Sequence, residues 1–161
     1  MRHIISLLLE NQPGALSRVV GLFSQRGYNI ESLTVSVTND PDISRMTIVV
    51  AGDDSVLEQI TKQLHKLIEV LRVVDYTETA AVERELALIK VIAEPRDRSE
   101  IMQIIEIFRG KIIDVSEKTF IVEVTGSTDK IDKIHGLLTA YGIREMTRTG
   151  IIAMARGAKT A

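Results

Sequence analysis

The chain has 161 residues, 45% hydrophobic but only 4% aromatic and without Trp, so its core must be built from Ile, Leu and Val. A formal net charge of −2 supplies no basic excess to neutralise phosphates, which argues against sequence-independent nucleic-acid binding. The absence of cysteine removes disulfides, thiolate metal sites and cysteine nucleophiles. The three histidines, His3, His65 and His135, fall in three different predicted elements without close metal-ligand spacing, so no metal is expected. No run approaches the roughly 20 apolar residues of a membrane span. The apolar N-terminus is too short for a signal sequence and reads as a buried strand, which makes a cytoplasmic location the expectation.

Residues 3–10 are almost continuously apolar, the pattern of a strand covered on both faces or lying at a contact. Asn11-Gln12-Pro13-Gly14 breaks that run. Leu16, Val19, Val20 and Phe23 then recur at i, i+3, i+4, i+7 as one helix face, and Gly27 stands where a left-handed residue would end the helix. Residues 29–38 and 44–51 read as a hairpin around Thr38-Asn39-Asp40-Pro41-Asp42. Ser55-Val56-Leu57-Glu58 has the form of a capping box. Val56, Ile60, Leu64 and Leu67 give the second helix its apolar face, and a strand over about 70–77 completes βαββαβ, the ferredoxin-like plan.

Thr77–Glu83, short and polar to small, reads as a linker, after which the order repeats. A strand covers 84–93 and Pro95 opens a turn. Ile101, Ile104, Ile105 and Phe108 renew the helical stripe, and Gly110 ends it as Gly27 ended the first. Strands at 111–116 and 119–125 form a hairpin, with Phe120, Val122 and Val124 on one face. A helix over about 128–140 turns Ile131, Ile134 and Leu138 inward, Gly142 stops it, and one last strand runs to about 155 before a frayed Ala155–Ala161. Pro13 matches Pro95 and Gly27 matches Gly110, each about 82 residues apart. The fold class is therefore α+β, two tandem ferredoxin-like βαββαβ domains over residues 1–78 and 79–161.

Catalytic signatures are missing. No serine sits in a Gly-x-Ser-x-Gly elbow, and there is neither a Walker loop nor Gly-x-Gly-x-x-Gly. The acid pairs Asp53-Asp54 and Asp40/Asp42 lie in predicted turns, where Asp caps backbone amides. One feature admits two readings. Asn11-Gln12-Pro13-Gly14-Ala15-Leu16 is either an ordinary βα turn or an anion-accepting helix start. In the second case the first amides lack intrahelical partners, the helix dipole adds positive charge, Gly14 permits close approach, and Asn11 both donates and accepts.

Asn11-x-Pro13-Gly14-x-Leu16, the apolar helix, and Gly27-Tyr28-Asn29-Ile30 resemble the signature of ACT domains, ferredoxin-like modules that pair edge to edge and bind amino acids between subunits. Many members carry Asp where this chain has Asn11, which leaves an uncharged, hydrogen-bonding group in the pocket. The resemblance narrows further. Gln25–Val35, Ser44–Ile48, Glu83–Leu86, Phe108–Val115 and Arg148–Ile151 are similar to the acetolactate synthase (acetohydroxyacid synthase) small-subunit family, in register across both halves.

That resemblance implies a non-catalytic regulatory role without cofactors of its own. Thiamine diphosphate, FAD and magnesium belong to a large catalytic partner, which the small subunit activates and makes sensitive to feedback inhibition, usually by valine. It also implies a homodimer through the ACT domains. Carried over by position, Asn11, Gly14, Ala15 and Leu16 hold the effector from one chain, Ser17 lines the first helical turn, and Asn29 and Ile30 close the site from the other chain. Two further classes remain: a free-standing ACT sensor acting on another enzyme or regulator, and a small ferredoxin-like enzyme. No helix-turn-helix or basic patch supports direct DNA binding.

Overall fold

The computed structural model describes residues 1–159. The chain divides into two compact units, one formed by Met1–Val82 with the segment from Ile151 onward, the other by Glu83–Gly150. The first contains β1 (Arg2–Glu10), α1 (Ala15–Gln25), β2 (Ile30–Val37), β3 (Ile43–Ala51), α2 (Asp54–Leu64) and β4 (Val70–Asp75). Its sheet order is β2-β3-β1-β4, every pair antiparallel. The second repeats the plan with β5 (Ala81–Ile92), α3 (Arg98–Ile107), β6 (Lys111–Val115), β7 (Thr119–Gly126), α4 (Thr128–Thr139) and β8 (Ile143–Arg148), in the order β6-β7-β5-β8. Both are the ferredoxin-like arrangement expected from the duplicated pattern.

The near-continuous apolar run of β1 has its reason in two-sided burial. Ile5, Leu7 and Leu9 pack with Val19, Phe23, Ile60 and Leu64 in the main core of the first unit. Ile4, on the opposite face by strand alternation, packs with Val49, Tyr76, Ile151 and Ala153. The last two come from the chain's final strand, β9 (Ile152–Ala155), and the residue before it. The single strand expected up to residue 155 is thus broken. β8 ends at Arg148, Gly150 takes φ +85°, and β9 is a separate strand that, like β8, pairs with β5. Ala155, expected to fray, is the last residue of β9; Thr160 and Ala161 lie outside the described residues.

Three local expectations shift by one or two residues. The inward stripe of α1 is Ala15, Val19, Leu22 and Phe23, while Leu16 is 41% exposed. The helix begins directly after Gly14, and its first residue, Ala15, is buried in the core. The cap of α2 is Asp53, not Ser55: Asp53 Oδ1 accepts from the Val56 amide at 3.0 Å and from the Ser55 hydroxyl at 2.6 Å. Glu58 turns away to Lys62, 2.8 Å distant at i,i+4. Finally, the left-handed residue after α3 is Arg109, φ +55°, rather than Gly110. Gly110 serves close approach, since a Cβ there would stand 3.1 Å from Ile105 Cγ2 and 3.2 Å from the Glu123 carbonyl oxygen.

The Asp53 cap carries a pH signature. Hydrogen bonds from Ser55 and then from the Val56 amide hold its pKa below the ordinary carboxylate value. A carboxylate depressed in the folded state stabilises above its unfolded pKa, near 3.9, and loses that contribution as pH falls through the lower folded value. Asp53→Ala is therefore expected to lower the melting temperature at pH 7. The deficit should fade on acidification below about pH 4; thermal melts across that range, with equal deficits at pH 7 and pH 2.5, would contradict the assignment.

Candidate functional site

The β1–α1 turn is held from two sides. The Asn11 amide donates to the Asp42 carbonyl at 2.8 Å, and Asn11 Nδ2 donates to the Pro41 carbonyl at 2.9 Å. On the other side the Glu10 amide donates to the Glu69 carbonyl at 2.8 Å, and Arg18 pairs with the Glu69 carboxylate. The turn is thus strung between the β2–β3 turn and the α2–β4 corner, as the sheet order dictates, with β3 and β4 flanking β1. Sequence reasoning identified Asn11 but missed Pro41, Asp42 and Glu69. The only signal for the first two was the Asn39-Asp40-Pro41-Asp42 turn; what brings it to Asn11 is the antiparallel register that sets Glu10 opposite Ile43.

Gly14 is left-handed, φ +85° and ψ −12°, and a Cβ there would meet nothing within 4 Å. Glycine is required by conformation, and the space in front of it is open. No side chain caps α1, and its first turn carries no acidic residue. By contrast, α2 and α4 have Asp53 and Ser127 as side-chain caps, and α3 carries Glu100 in its first turn. The Ala15 amide is spent on the Gln12 carbonyl at 3.2 Å and its methyl is buried. The Leu16 and Ser17 amides have no acceptor among the described residues. Both side chains are exposed beside them. With its Nδ2 donating to Pro41, Asn11 keeps Oδ1 as an acceptor.

Asn11, Gly14, Ala15, Leu16 and Ser17 therefore come together, with Ala15 contributing to the core rather than to the open side. Asn29 and Ile30 lie elsewhere. Ile30 sits opposite Val50 at the start of β2, whereas Val37 and Ser44 mark the end nearest Asn11. The eight residues of β2 span about 23 Å at ~3.3 Å per residue. Within one chain the two groups are at opposite ends of the sheet. Asn29 is exposed, and Ile30 is half-buried against the main core. Among the described residues no three His, Asp or Glu side chains gather into a metal-holding group, and no helix is long and apolar enough to cross a membrane.

Comparison with known proteins agrees with both halves. Residues 5–72 match the model of the AHAS small subunit-like ACT domain, and residues 84–157 match the small subunit of acetolactate synthase. A probable acetolactate synthase small subunit of Archaeoglobus fulgidus is 56% identical over 159 residues, covering 99% of each chain. The acetolactate synthase isozyme 3 small subunit of Salmonella typhimurium is 54% identical, covering 99% of this chain and 98% of its own. The crystal structure of an acetolactate synthase small subunit from Thermotoga maritima superposes with a TM-score of 0.89 at 45% identity, covering 99% of each chain. With two family models in register over both units and relatives this similar end to end, the chain belongs to the acetolactate synthase small-subunit family, as a regulatory subunit with an N-terminal ACT domain.

Proposed function

We propose that this chain activates a thiamine-diphosphate-dependent catalytic large subunit and makes it subject to feedback inhibition by a branched-chain amino acid, valine foremost. The cofactors, thiamine diphosphate, FAD and magnesium, reside on that partner, and this chain itself is non-catalytic and cytoplasmic. The observation that carries the reading is the uncapped start of α1. There the Leu16 and Ser17 amides have no acceptor among the described residues, and a Cβ on the preceding Gly14 would meet nothing within 4 Å. An effector carboxylate seats on those amides, helped by the helix dipole. The ammonium meets Asn11 Oδ1, and the small branched side chain lies along the exposed face of Leu16.

The roles of Asn29 and Ile30 call for a second copy. β2 is an edge strand, with Val35 and Val37 37% and 51% exposed. If two β2 strands pair antiparallel about a two-fold near their midpoint, Ile30 of the second copy stands opposite Val37, beside the turn that Asn11 holds. A homodimer through the ACT domains then completes each site from two chains, and an effector bound between them biases that one arrangement of the dimer. Among branched-chain amino acids, one methylene is worth about 1–3 kcal/mol in an apolar pocket, so valine, leucine and isoleucine are to be compared directly.

The experiment is acetolactate formation by the purified large subunit, with and without this chain, across a valine titration. Addition of the chain is expected to raise the rate and to introduce valine inhibition that the large subunit alone lacks. If valine binds the chain but neither rate nor inhibition changes, the chain is a sensor for another target and the proposal is wrong.

A further inference from the structure

The helical face of the first unit carries a groove that meets the effector site only at Ser17. It is a cavity of about 440 Å³ between α1 and the C-terminal end of α2, floored by Gly21, Leu22 and Leu67 and rimmed by Arg18, Arg26 and Lys66. In a chain of net charge −2, three cations around one groove are a local inversion. Arg18 is answered by Glu69, but Arg26 and Lys66 have no ion-pair partner among the described residues. Gly21 is the second observation. It lies inside α1, where glycine disfavours the helix. A Cβ there would meet nothing within 4 Å, so no neighbouring element of the chain demands its absence. A bare backbone in the floor of a groove leaves room for something from outside to approach closely. The third observation is Ile68, directly after the lining residue Leu67 and 87% exposed. A small inorganic anion gains nothing from an exposed isoleucine, whereas a polypeptide gains an apolar anchor.

We infer that this α1–α2 groove docks an acidic segment of the catalytic large subunit, its carboxylates on Arg26 and Lys66, its backbone over Gly21 and an apolar side chain against Ile68. This rests on the regulatory reading above, which supplies the partner. The chemistry of the segment follows from charge complementarity with two unanswered cations, and charges of this kind act on encounter rate and specificity as much as on affinity.

The test measures association of the full chain with the purified large subunit by surface plasmon resonance at low and moderate salt. Arg26→Glu combined with Lys66→Glu is expected to weaken Kd at least tenfold and to flatten its salt dependence. Gly21→Leu, which favours the helix and so does not endanger folding, is expected to weaken it at least fivefold at both salt concentrations. Valine affinity of each variant chain, by calorimetry, should stay within twofold, since neither change touches the Asn11–Ser17 turn. If the unsubstituted chain binds and all variants bind equally well, the groove is not the docking site. If inorganic phosphate titrates into the unsubstituted chain, is lost on charge reversal, and partner affinity is unmoved, the groove is a small-anion site and the inference is overturned. Failure of the unsubstituted chain to bind the large subunit would instead remove the regulatory reading and the inference with it.

Discussion

Gly14→Asp is expected to abolish valine binding while leaving the chain folded. Two effects compete at this position, and their magnitudes separate them. A non-glycine residue at φ +85° costs about 1–2 kcal/mol of backbone strain, less for Asp, which tolerates the left-handed region. A carboxylate planted in the open space before the Leu16 and Ser17 amides competes for them and repels the effector carboxylate. At about 4 Å and an effective dielectric near 20, like charges cost about 4 kcal/mol. Repulsion dominates, and at about 1.4 kcal/mol per decade it weakens binding by more than a hundredfold. Gly14→Ala separates the terms, because it carries the strain without the charge. It should lower stability by about 1 kcal/mol and weaken valine by less than tenfold. Calorimetry on both variants decides the matter: an Asp variant that binds valine as tightly as the Ala variant would show that the effector carboxylate lies elsewhere.

The second large effect belongs to the second unit and concerns stability. Glu85 is 5% exposed near the start of β5. Its carboxylate pairs with Arg148 Nε at the end of β8 and is 3.4 Å from the Thr128 hydroxyl; Arg148 Nη1 also donates to Asp132 on α4 at 2.7 Å. Burial lowers the Arg148 pKa, but the hydrogen bonds to Glu85 and Asp132 outweigh it, so the guanidinium is held more firmly charged than usual. Arg148→Met keeps the aliphatic stem but strands a buried carboxylate. Breaking such a pair from one side costs about 3 kcal/mol, at the low end of the usual range because Arg148 is itself partly exposed. Adding Glu85→Met should restore most of that loss, since replacing both members of a buried pair by apolar groups is often neutral. Asp132→Asn should cost under about 1 kcal/mol, as for an exposed partner. Urea unfolding of the four chains checks this; a double variant no more stable than Arg148→Met would mean that packing around Arg148, rather than the stranded charge, sets the loss.

The fold was legible in the sequence because its determinants are local. The run Ile4–Leu9, the helical stripe ending in Phe23, and the alternation Phe120, Val122, Val124 each declare one element by periodicity, and Pro and Gly punctuate them twice in the same order. What escaped was decided by competition among near neighbours. Asp53 and Ser55 can each cap a helix, and the carboxylate, being charged, makes the stronger bond and recruits the hydroxyl to itself. Gly110 was required for space while Arg109 took the left-handed turn, two demands that look alike in a sequence.

The candidate site divides in the same way. The turn Asn11–Gly14 before an apolar helix announces the start of α1, which has no side-chain cap. The anchoring of that turn by Pro41, Asp42 and Glu69 is non-local and depends on which strands flank β1. The separation of Asn11 from Ile30 within one chain likewise emerges only once the register of β2 on β3 is known.

The return of Ile151–Ala155 to the first unit has a consequence for synthesis. Nascent domains ordinarily complete themselves in the order in which they leave the ribosome. Here β1 emerges early, yet Ile151 and Ala153, which pack on Ile4, Val49 and Tyr76, emerge only after Glu83–Gly150. Glu83–Gly150, being contiguous, has everything it needs earlier. The first unit, although its β1 precedes the second unit in the chain, is closed only later, and Glu83–Gly150 must be made before that unit can finish folding.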